Sequence, residues 1–548
     1  MLSYRKLAMR VLGRPLHTEG IDSPRPASQR AAAFVLTAAM LITLAAPAFA
    51  GTWYIENGDI TVKAGETKGT NKVSQGENPE VEDTNTVITN SDKDKASSNT
   101  VTIEAKDKDD KVEVTLKDVN IDTSSRSEAA VSVTGEGNTN IELDGDNALK
   151  SDIYSSGISS SGSLTISGGE NDSLTAQGGS GADGIYSSGS LTISGGTVTA
   201  NGGSGGGGDG GDGIWSSGGV TISGGSTVTA NGGDGKDDYG GDGIRSDSGD
   251  VTISGGSTVT ANGGNGGNVS GDGIRSDSGD VTISGGTVKA AGGDSKDGYG
   301  GDGIRSGGVT ISGGTVNAAG GNGGKVGGYG ICSFARVAIS GGTVNAAGGN
   351  GKNSNGGSDG IISNDIDLSG SLELTAKAGR PNGKAISWAG SELDLDDIKD
   401  KLDPGAKVTA TDANGETKQV SVPRPVEPEK PVIPEESSSS SGGGSAAPSA
   451  PTSSLPGLTV TDKDGQRISY TSTQSGNTLT VCVGRFTASF HISLAALRQL
   501  RAEGIDTITF QTILCSTTLS VDELLAMGGE DAEAVLTHRL TDSSLTVG

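Results

Sequence analysis

Residues 241–262 read GDGIRSDSGDVTISGGSTVTAN, and variants of this phrase return along most of the chain. The isoleucine of the GDGI corner recurs every 27 to 30 residues, at Ile158, Ile185, Ile214, Ile244, Ile274, Ile304, Ile331 and Ile361. Val131 and Ile386 extend the series by one unit at either end. Because a unit of this length cannot bury its own apolar face, the repeat is typical of a stacked solenoid.

Each unit contains three short segments in which apolar and polar residues alternate, separated by glycine-rich corners. In the quoted unit these are Ile244–Ser246, Val251–Ile253 and Val259–Ala261. Alternation with a period of two predicts strands, and three strands per turn predict an all-β fold: a right-handed parallel β-helix of about ten coils. The coils would stack ~4.8 Å apart. We expect the glycines to occupy corners that require a positive φ.

The N-terminus has the pattern of an export signal. Six basic residues within the first 30 precede an apolar stretch from Ala31 to Ala46, and Ala48-Phe49-Ala50 supplies a small-x-small cleavage site. The stretch is short and rich in alanine for a membrane anchor, so we interpret residues 1–50 as a removed signal peptide. We therefore expect an extracellular protein, either secreted or associated with the cell surface, with no membrane span after cleavage.

The remaining chain divides by composition into four segments. We predict an N-terminal entry or capping segment at 51–98, the parallel β-helix repeats at 99–422, and a small α+β domain at 456–548. Residues 423–455 are rich in proline, serine and glycine and are predicted to be a linker. Near the end of the repeats, SELDLDDIKDK at 391–401 predicts a short acidic helix that caps the solenoid.

In the C-terminal segment we predict strands at 466–471, 478–483, 486–492 and 507–514. Ser493 is the expected N-cap of a first helix, and the capping box Ser520-x-x-Glu523 opens a second. Cys482 and Cys515 could form a disulfide in an exported protein or could be two separate buried thiols.

Composition and charge exclude several functions. Glycine makes up 94 of 548 residues and aromatic residues only 3%, which excludes a conventional core of large side chains. Removing residues 1–50 removes six basic and two acidic residues, so the formal net charge falls from −26 to −30. Such a surface repels nucleic acid and attracts cations. With three histidines and no CxxC motif, a zinc site is not expected.

An aspartate recurs at the corner before the first strand of six units. Stacking would place these carboxylates in one column, where like charges repel and a calcium ion would relieve the repulsion. Alternatively, a corner aspartate accepts hydrogen bonds from nearby backbone amides in an Asx-turn. The candidate calcium ligands are Asp183, Asp212, Asp242, Asp272, Asp302 and Asp359.

A second recurring position follows the corner isoleucine and points away from the core by strand alternation. It is occupied by Tyr186, Trp215, Arg245, Arg275 and Arg305. Aromatic rings can pack against sugar faces, and arginine forks suit the carboxylates of acidic sugars. This row is the candidate carbohydrate-binding site. The alternative is a solvated row whose arginines neutralise the nearby Asp247, Asp250, Asp277 and Asp280.

The GDGI–VTISGG–TVTA units, together with the segment TWYIENGDI at 52–60, resemble the secreted carbohydrate-binding domain-containing β-helix proteins of anaerobic Gram-positive bacteria. The resemblance covers about residues 51–420. It implies a right-handed parallel β-helix, calcium bound in acidic loops at the GDGI aspartates, and binding of plant polysaccharides such as polygalacturonate or cellulose.

Three functions follow as hypotheses. The first is a non-catalytic polysaccharide-binding protein stabilised by calcium; its partner would be an acidic or β-linked plant or host glycan. The second is a surface adhesin or structural spacer in which the solenoid supplies reach. The third, a polysaccharide lyase, needs a base beside a calcium cluster, and here every candidate base recurs in evenly spaced copies. We therefore predict that the protein is not an enzyme.

Overall fold

The structure is a computed structural model that describes residues 50–423 except Asn355, and much of residues 458–547. The gaps in the second range are 462–466, 469, 476, 484–486, 503, 513–515, 528–531 and 539–542. The predicted signal peptide, apart from Ala50, and the predicted linker, apart from Pro423, lie outside the described residues. Among the described residues, the helices all lack the length or apolar character that a membrane span requires.

Residues 52–421 form a parallel β-solenoid of three long sheets, one for each predicted strand position. The predicted fold class is confirmed, with about thirteen turns rather than about ten. Sheet 1 contains the corner isoleucines, and its strands in spatial order are Val81–Asp83, Asn71–Gln75, Ile60–Ala64, Val101–Glu104, Val131–Thr134, Ile158–Ser160, Ile185–Ser187, Ile214–Ser216, Ile244–Ser246, Ile274–Ser276, Ile304–Ser306, Ile331–Ser333, Ile361–Ser363, Ile386–Trp388 and Ser391–Glu392.

Sheets 2 and 3 have twelve strands each. Sheet 2 consists of Thr52–Tyr54, Thr86–Thr89, Lys111–Lys117, Asn138–Asp144, Ser163–Gly168, Leu191–Ser194, Val220–Ser223, Val251–Ile253, Val281–Ile283, Val309–Ile311, Arg336–Ile339 and Asp365–Leu368. Sheet 3 consists of Asn120–Asp122, Asp146–Lys150, Ser173–Ser180, Thr197–Gly203, Thr227–Asn231, Thr258–Asn262, Thr287–Ala291, Thr315–Ala319, Thr343–Ala347, Glu373–Lys377, Lys407–Thr411 and Thr417–Ser421.

The register pairs equivalent residues of successive coils, so that Ile214 lies beside Ile244 and Ile244 beside Ile274. The inward isoleucine, valine and alanine side chains are almost fully buried and form one continuous core. A buried serine is the last residue of the corner strands from Ile158–Ser160 to Ile361–Ser363 and donates to backbone carbonyls; Ser246 Oγ, for example, lies 2.5 Å from Gly218 O. These hydroxyls add a side-chain hydrogen bond to carbonyls at the corner between sheets 1 and 2; Gly218 O, for example, also accepts the backbone N–H of Gly249.

Both ends of the solenoid carry antiparallel strands. At the N-terminal end, Asn71–Gln75 and Val81–Asp83 pair antiparallel beyond Ile60–Ala64, after a 3₁₀-helix at Ile55–Asn57. The segment predicted as an entry or cap therefore contributes strands to sheets 1 and 2 and also covers the end of the solenoid. At the C-terminal end, the predicted acidic helix is a 3₁₀-helix at Leu395–Lys401. Its apolar residues pack on the core, which protects the last coil from edge pairing.

The glycine-rich loops between sheets 3 and 1 are themselves stacked. Tyr239, Val269, Tyr299 and Val326 form successive parallel bridges, which we call the loop ladder. Glycine is required beside it for close approach rather than for a positive φ: a Cβ at Gly241 would lie 2.0 Å from Gly211 O in the preceding coil. The expected positive φ occurs mainly at the corner between sheets 2 and 3, as at Gly256 (+74°).

The described residues of the C-terminal segment form two four-stranded sheets and two helices. The first sheet is Leu458–Thr461, Ala488–Ser493, Glu533–His538 and Ser543–Val547; the second is Thr471–Ser475, Thr478–Cys482, Thr507–Gln511 and Ser516–Ser520. The helices are Leu494–Ala502 and Val521–Met527. The α+β character is as predicted, but the first predicted strand begins later, at Thr471. Four strands were not predicted: Leu458–Thr461, Ser516–Ser520, Glu533–His538 and Ser543–Val547.

Two details of this segment bear on the sequence predictions. Ser493 Oγ accepts the backbone N–H of Ala496 at 3.2 Å, which confirms Ser493 as an N-cap. Cys482 Sγ lies 3.6 Å from Gln511 Oε1, whereas Cys515 lies outside the described residues. The disulfide between them stays a prediction.

Candidate functional site

Five of the six candidate calcium ligands form a buried column along the solenoid. Each Oδ1 accepts the backbone N–H of the corner residue one coil further on. The donors and distances are Asp212 to Asp183 (2.8 Å), Asp242 to Asp212 (2.5 Å), Asp272 to Asp242 (2.6 Å), Asp302 to Asp272 (2.6 Å) and Tyr329 to Asp302 (2.6 Å). We call the five acceptors the aspartate column; they are Asp183, Asp212, Asp242, Asp272 and Asp302. The aspartates therefore accept hydrogen bonds from backbone amides, as the alternative to calcium binding predicts. The amide belongs to the next coil, however, and not to the same turn.

Tyr329 interrupts the series, and Asp359 lies beyond it. Asp359 repeats the same contact, since its Oδ1 accepts the backbone N–H of Lys384 at 2.6 Å. It is less deeply buried than the aspartate column. The six predicted residues thus share one structural role, but only five are contiguous.

Burial of these carboxylates raises their pKa, because the charged form loses its hydration. Neighbouring carboxylates of the column raise it further, whereas the amide hydrogen bonds and nearby arginines oppose the rise. The pKa of Asp242 and of Asp272 is raised to about 7, and that of Asp183 and of Asp302 to about 6. The pKa of Asp212 is raised well above its ordinary value for the same reasons.

The aspartate column is a poor fit for calcium. Calcium takes six to eight oxygen ligands, and each aspartate here already commits one oxygen to a backbone amide. Over the described part of the chain, no group of three or more histidine, cysteine, aspartate or glutamate side chains is arranged to hold a metal ion. Calcium binding therefore stays a prediction from sequence.

The predicted carbohydrate-binding row is present as a row. Tyr186, Trp215, Arg245, Arg275 and Arg305 are register partners on the outer face of sheet 1, and all five are partly buried. The Tyr186 and Trp215 rings meet edge to face with centroids 5.2 Å apart, and the Arg245 guanidinium lies 5.1 Å from the centre of the Trp215 ring. These contacts hold the aromatic pair in a fixed orientation.

The arginines of the row are largely engaged by neighbouring carboxylates. Arg245 forms ion pairs with Asp247 (3.0 Å) and Asp277 (3.1 Å), and Arg275 Nε lies 2.6 Å from Asp277 Oδ1. The alternative of internal neutralisation is therefore confirmed for Asp247 and Asp277. Asp250 makes a different contact, since its Oδ1 accepts the backbone N–H of Asp280.

The row, the loop ladder and the aspartate column meet in one groove of about 320 Å³. Sheet 1 contributes Trp215, Arg245 and Arg275, and the loop ladder contributes Tyr239 and Val269. The rest of the lining consists of the backbone of paired glycines and three carboxylates of the column, those of Asp183, Asp212 and Asp242. The groove spans successive coils, so its length follows the axis of the solenoid.

Sequence reasoning missed the tyrosines of the loop ladder. Tyr239 is 54% exposed and lines the groove, and Tyr299, two coils further on, is 49% exposed with Lys325 Nζ 5.8 Å from its ring centre. A sequence pattern could have identified them, because each tyrosine lies five residues before a corner isoleucine, in YGGDGI.

Comparison with known families supports the architecture. Residues 220–244, 281–304 and 309–331 match the family model described as beta helix repeat. Each match starts at the first residue of a sheet 2 strand and ends at the next corner isoleucine. Comparison with curated proteins and with solved structures gave no match. The matched repeats and the three stacked sheets agree on a parallel β-helix architecture.

Proposed function

We propose that the protein is a non-catalytic polysaccharide-binding protein that holds a linear glycan in the groove along the solenoid axis. The observation that carries this proposal is the convergence of Trp215 and the exposed Tyr239 on one groove from different parts of the coil. In a chain with 3% aromatic residues, such a pairing on a rigid surface favours a binding role.

The geometry of the coils suits a polymer better than a compact ligand. Successive coils repeat every ~4.8 Å, which is similar to the length of one pyranose unit in an extended glycan. A chain lying along the groove would therefore present one sugar to each coil. Aromatic side chains offer the apolar faces against which sugar rings pack, and the polar backbone of the glycines offers hydrogen-bonding groups to hydroxyls.

Of the two glycan classes expected from sequence, the acidic one has less support. Arg245 and Arg275 already contact Asp247 and Asp277. A uronate would have to displace these carboxylates and approach the aspartate column in a strongly negative protein. The groove therefore favours a β-linked glycan without carboxylates. Extracellular location and absence of catalysis belong to the same proposal and rest on the sequence alone.

A glycan array with the full chain, run with calcium and with chelator, tests the proposal. We expect binding of linear β-linked glycans, and we expect Tyr239→Ala to lower the affinity about tenfold. Tyr54→Ala is the matched control, because Tyr54 is similarly exposed but lies in the first strand of sheet 2, away from the groove. It should bind like the wild type.

The outcomes separate the three hypotheses. Negligible binding under both conditions would overturn the proposal and favour the adhesin or spacer. Release of unsaturated oligosaccharides from pectate would instead favour a lyase. Equal loss in Tyr239→Ala and Tyr54→Ala would show that the groove is not the site.

A further inference from the structure

The loops between sheets 3 and 1 repeat every two coils rather than every coil. Two of them read DGKDDYGG at 234–241 and DSKDGYGG at 294–301, whereas the loops one coil further on read NGGNVSG at 265–271 and NGGKVGG at 322–328. Loops with tyrosine therefore alternate with loops that are one residue shorter and have valine. As a consequence, the loop ladder consists of Tyr239, Val269, Tyr299 and Val326 in successive coils.

The backbone holds the two tyrosines at equivalent positions. Each tyrosine carbonyl accepts an amide N–H of the preceding coil: Gly210 donates to Tyr239 at 2.9 Å, and Ser270 donates to Tyr299 at 3.0 Å. Both tyrosine side chains are about half exposed. Because two coils span ~9.6 Å, the ladder presents exposed aromatic side chains at that repeat, with the smaller Val269 between them.

This alternation lies along one wall of the groove. Tyr239 and Val269 line the groove, and Tyr299 continues the same ladder one coil further along the axis. The opposite wall, on sheet 1, has Arg245 and Arg275 in successive coils instead. A ligand that follows the axis therefore meets a two-coil period on the loop ladder and not on the arginines.

An extended β-1,4-linked glycan has a two-unit period of its own. Each sugar is rotated by about half a turn relative to the one before it, so alternate sugars turn the same face to the same side. With one sugar per coil, the sugars that pack against Tyr239 and Tyr299 are separated by one sugar. That intervening sugar turns its opposite face to the wall, where Val269 leaves more room. A β-1,3-linked chain curves, and it does not return every second sugar to a straight wall.

We propose that the glycan held in the groove is a β-1,4-linked chain in its extended two-fold form, and that Tyr299 acts with Tyr239 to select this linkage. This inference rests on the proposed function and specifies the linkage of its ligand. It adds Tyr299 to the site as a specificity-determining residue. The shortest chain that contacts both tyrosines has three sugars, since two coils separate them.

Calorimetry on the full chain with three uncharged hexasaccharides tests the linkage: the β-1,4-linked cello-hexaose and manno-hexaose, and the β-1,3-linked laminari-hexaose. We expect the better of the two β-1,4 chains to bind about tenfold or more tightly than laminari-hexaose. Tyr299→Ala should lower the affinity for that β-1,4 chain about tenfold. Tyr299→Phe keeps the ring and should stay within about twofold of the wild type.

A variant of the same composition separates the spacing of the rings from their number. Val269→Tyr combined with Tyr299→Val keeps two tyrosines on the ladder but places them in adjacent coils, ~4.8 Å apart. Both positions are at least partly exposed, so we expect the fold to tolerate the exchange, which far-ultraviolet circular dichroism checks. This variant should lose as much affinity for the better β-1,4 chain as Tyr299→Ala does.

Laminari-hexaose binding as tightly as the better β-1,4 chain would overturn this inference and leave the proposed function standing. A glycan array on which only other linkages bind would have the same meaning. Wild-type affinity in Tyr299→Ala, or in the variant with adjacent tyrosines, would also overturn it, because the two-coil spacing would then be irrelevant to binding. Absence of binding to every glycan on the array would contradict both proposals.

Discussion

Asp242 Oδ1 accepts the backbone N–H of Asp272 at 2.6 Å, although the two residues are 30 positions apart in the chain. The contact joins two coils through a side chain rather than through the sheet. Because both residues are buried, replacing the carboxylate with a methyl group would leave the Asp272 amide without an acceptor.

Asp242→Ala should therefore destabilise the solenoid by about 1–3 kcal/mol, the cost of an unsatisfied buried donor. Thermal unfolding followed by far-ultraviolet circular dichroism measures it. Asp242→Asn, which keeps the acceptor and removes the charge, is the control and should be close to the wild type or more stable. If the asparagine variant loses as much stability as the alanine variant, the hydrogen bond is not what holds these coils.

The raised pKa values predict how stability depends on pH. The native state binds protons more tightly than the unfolded state, in which aspartate titrates near its ordinary pKa. The contribution of these groups is therefore complete below about pH 4 and is lost as pH rises through about 6 to 7, the pKa of Asp183, Asp242 and Asp272.

Urea unfolding at pH 5 and pH 8 tests whether the stability falls as the pH rises. We expect the wild type to be more stable at pH 5, and we expect a double variant, Asp242→Asn with Asp272→Asn, to show a smaller difference between the two conditions. A wild type that is more stable at pH 8, with the same difference in the double variant, would show that other groups control the pH dependence.

Calcium can be tested through the same residues. Since each carboxylate of the column is already used by an amide, we expect the melting temperature to be the same with calcium and with chelator. The sequence-based prediction of a calcium-stabilised protein would instead be supported by a rise with calcium in the wild type that disappears in Asp212→Asn combined with Asp242→Asn.

The stacked loops predict a sharp difference between glycines. Gly241→Ala would place a Cβ 2.0 Å from Gly211 O, so we expect a loss of about 1–3 kcal/mol and faster amide exchange in the loops around Tyr239. Gly207→Ala is the control, because a Cβ there meets no atom within 4 Å. Similar stability of the two variants would mean that the loops are not closely stacked in solution.

The sequence alone was sufficient for the architecture of the solenoid. A repeat of 27 to 30 residues with period-two alternation specifies three strands per coil, and the register follows because only one alignment places Ile244 beside Ile214 and Ile274. The corner aspartates and the outward row were found for the same reason, since residues at equal positions in a repeat must stack.

Other features depended on distances between coils, which no local pattern encodes. The depth of the aspartate column, the engagement of Arg245 by Asp247 and Asp277, and the exposure of Tyr239 all arise from the stacking of loops that look irregular in sequence. The GDGI corners and the Tyr–Trp–Arg row were therefore predictable as positions. Their meeting in one groove, with buried carboxylates beside aromatic rings, was decided by tertiary structure, because burial and pairing depend on which residues of neighbouring coils lie within a few ångströms.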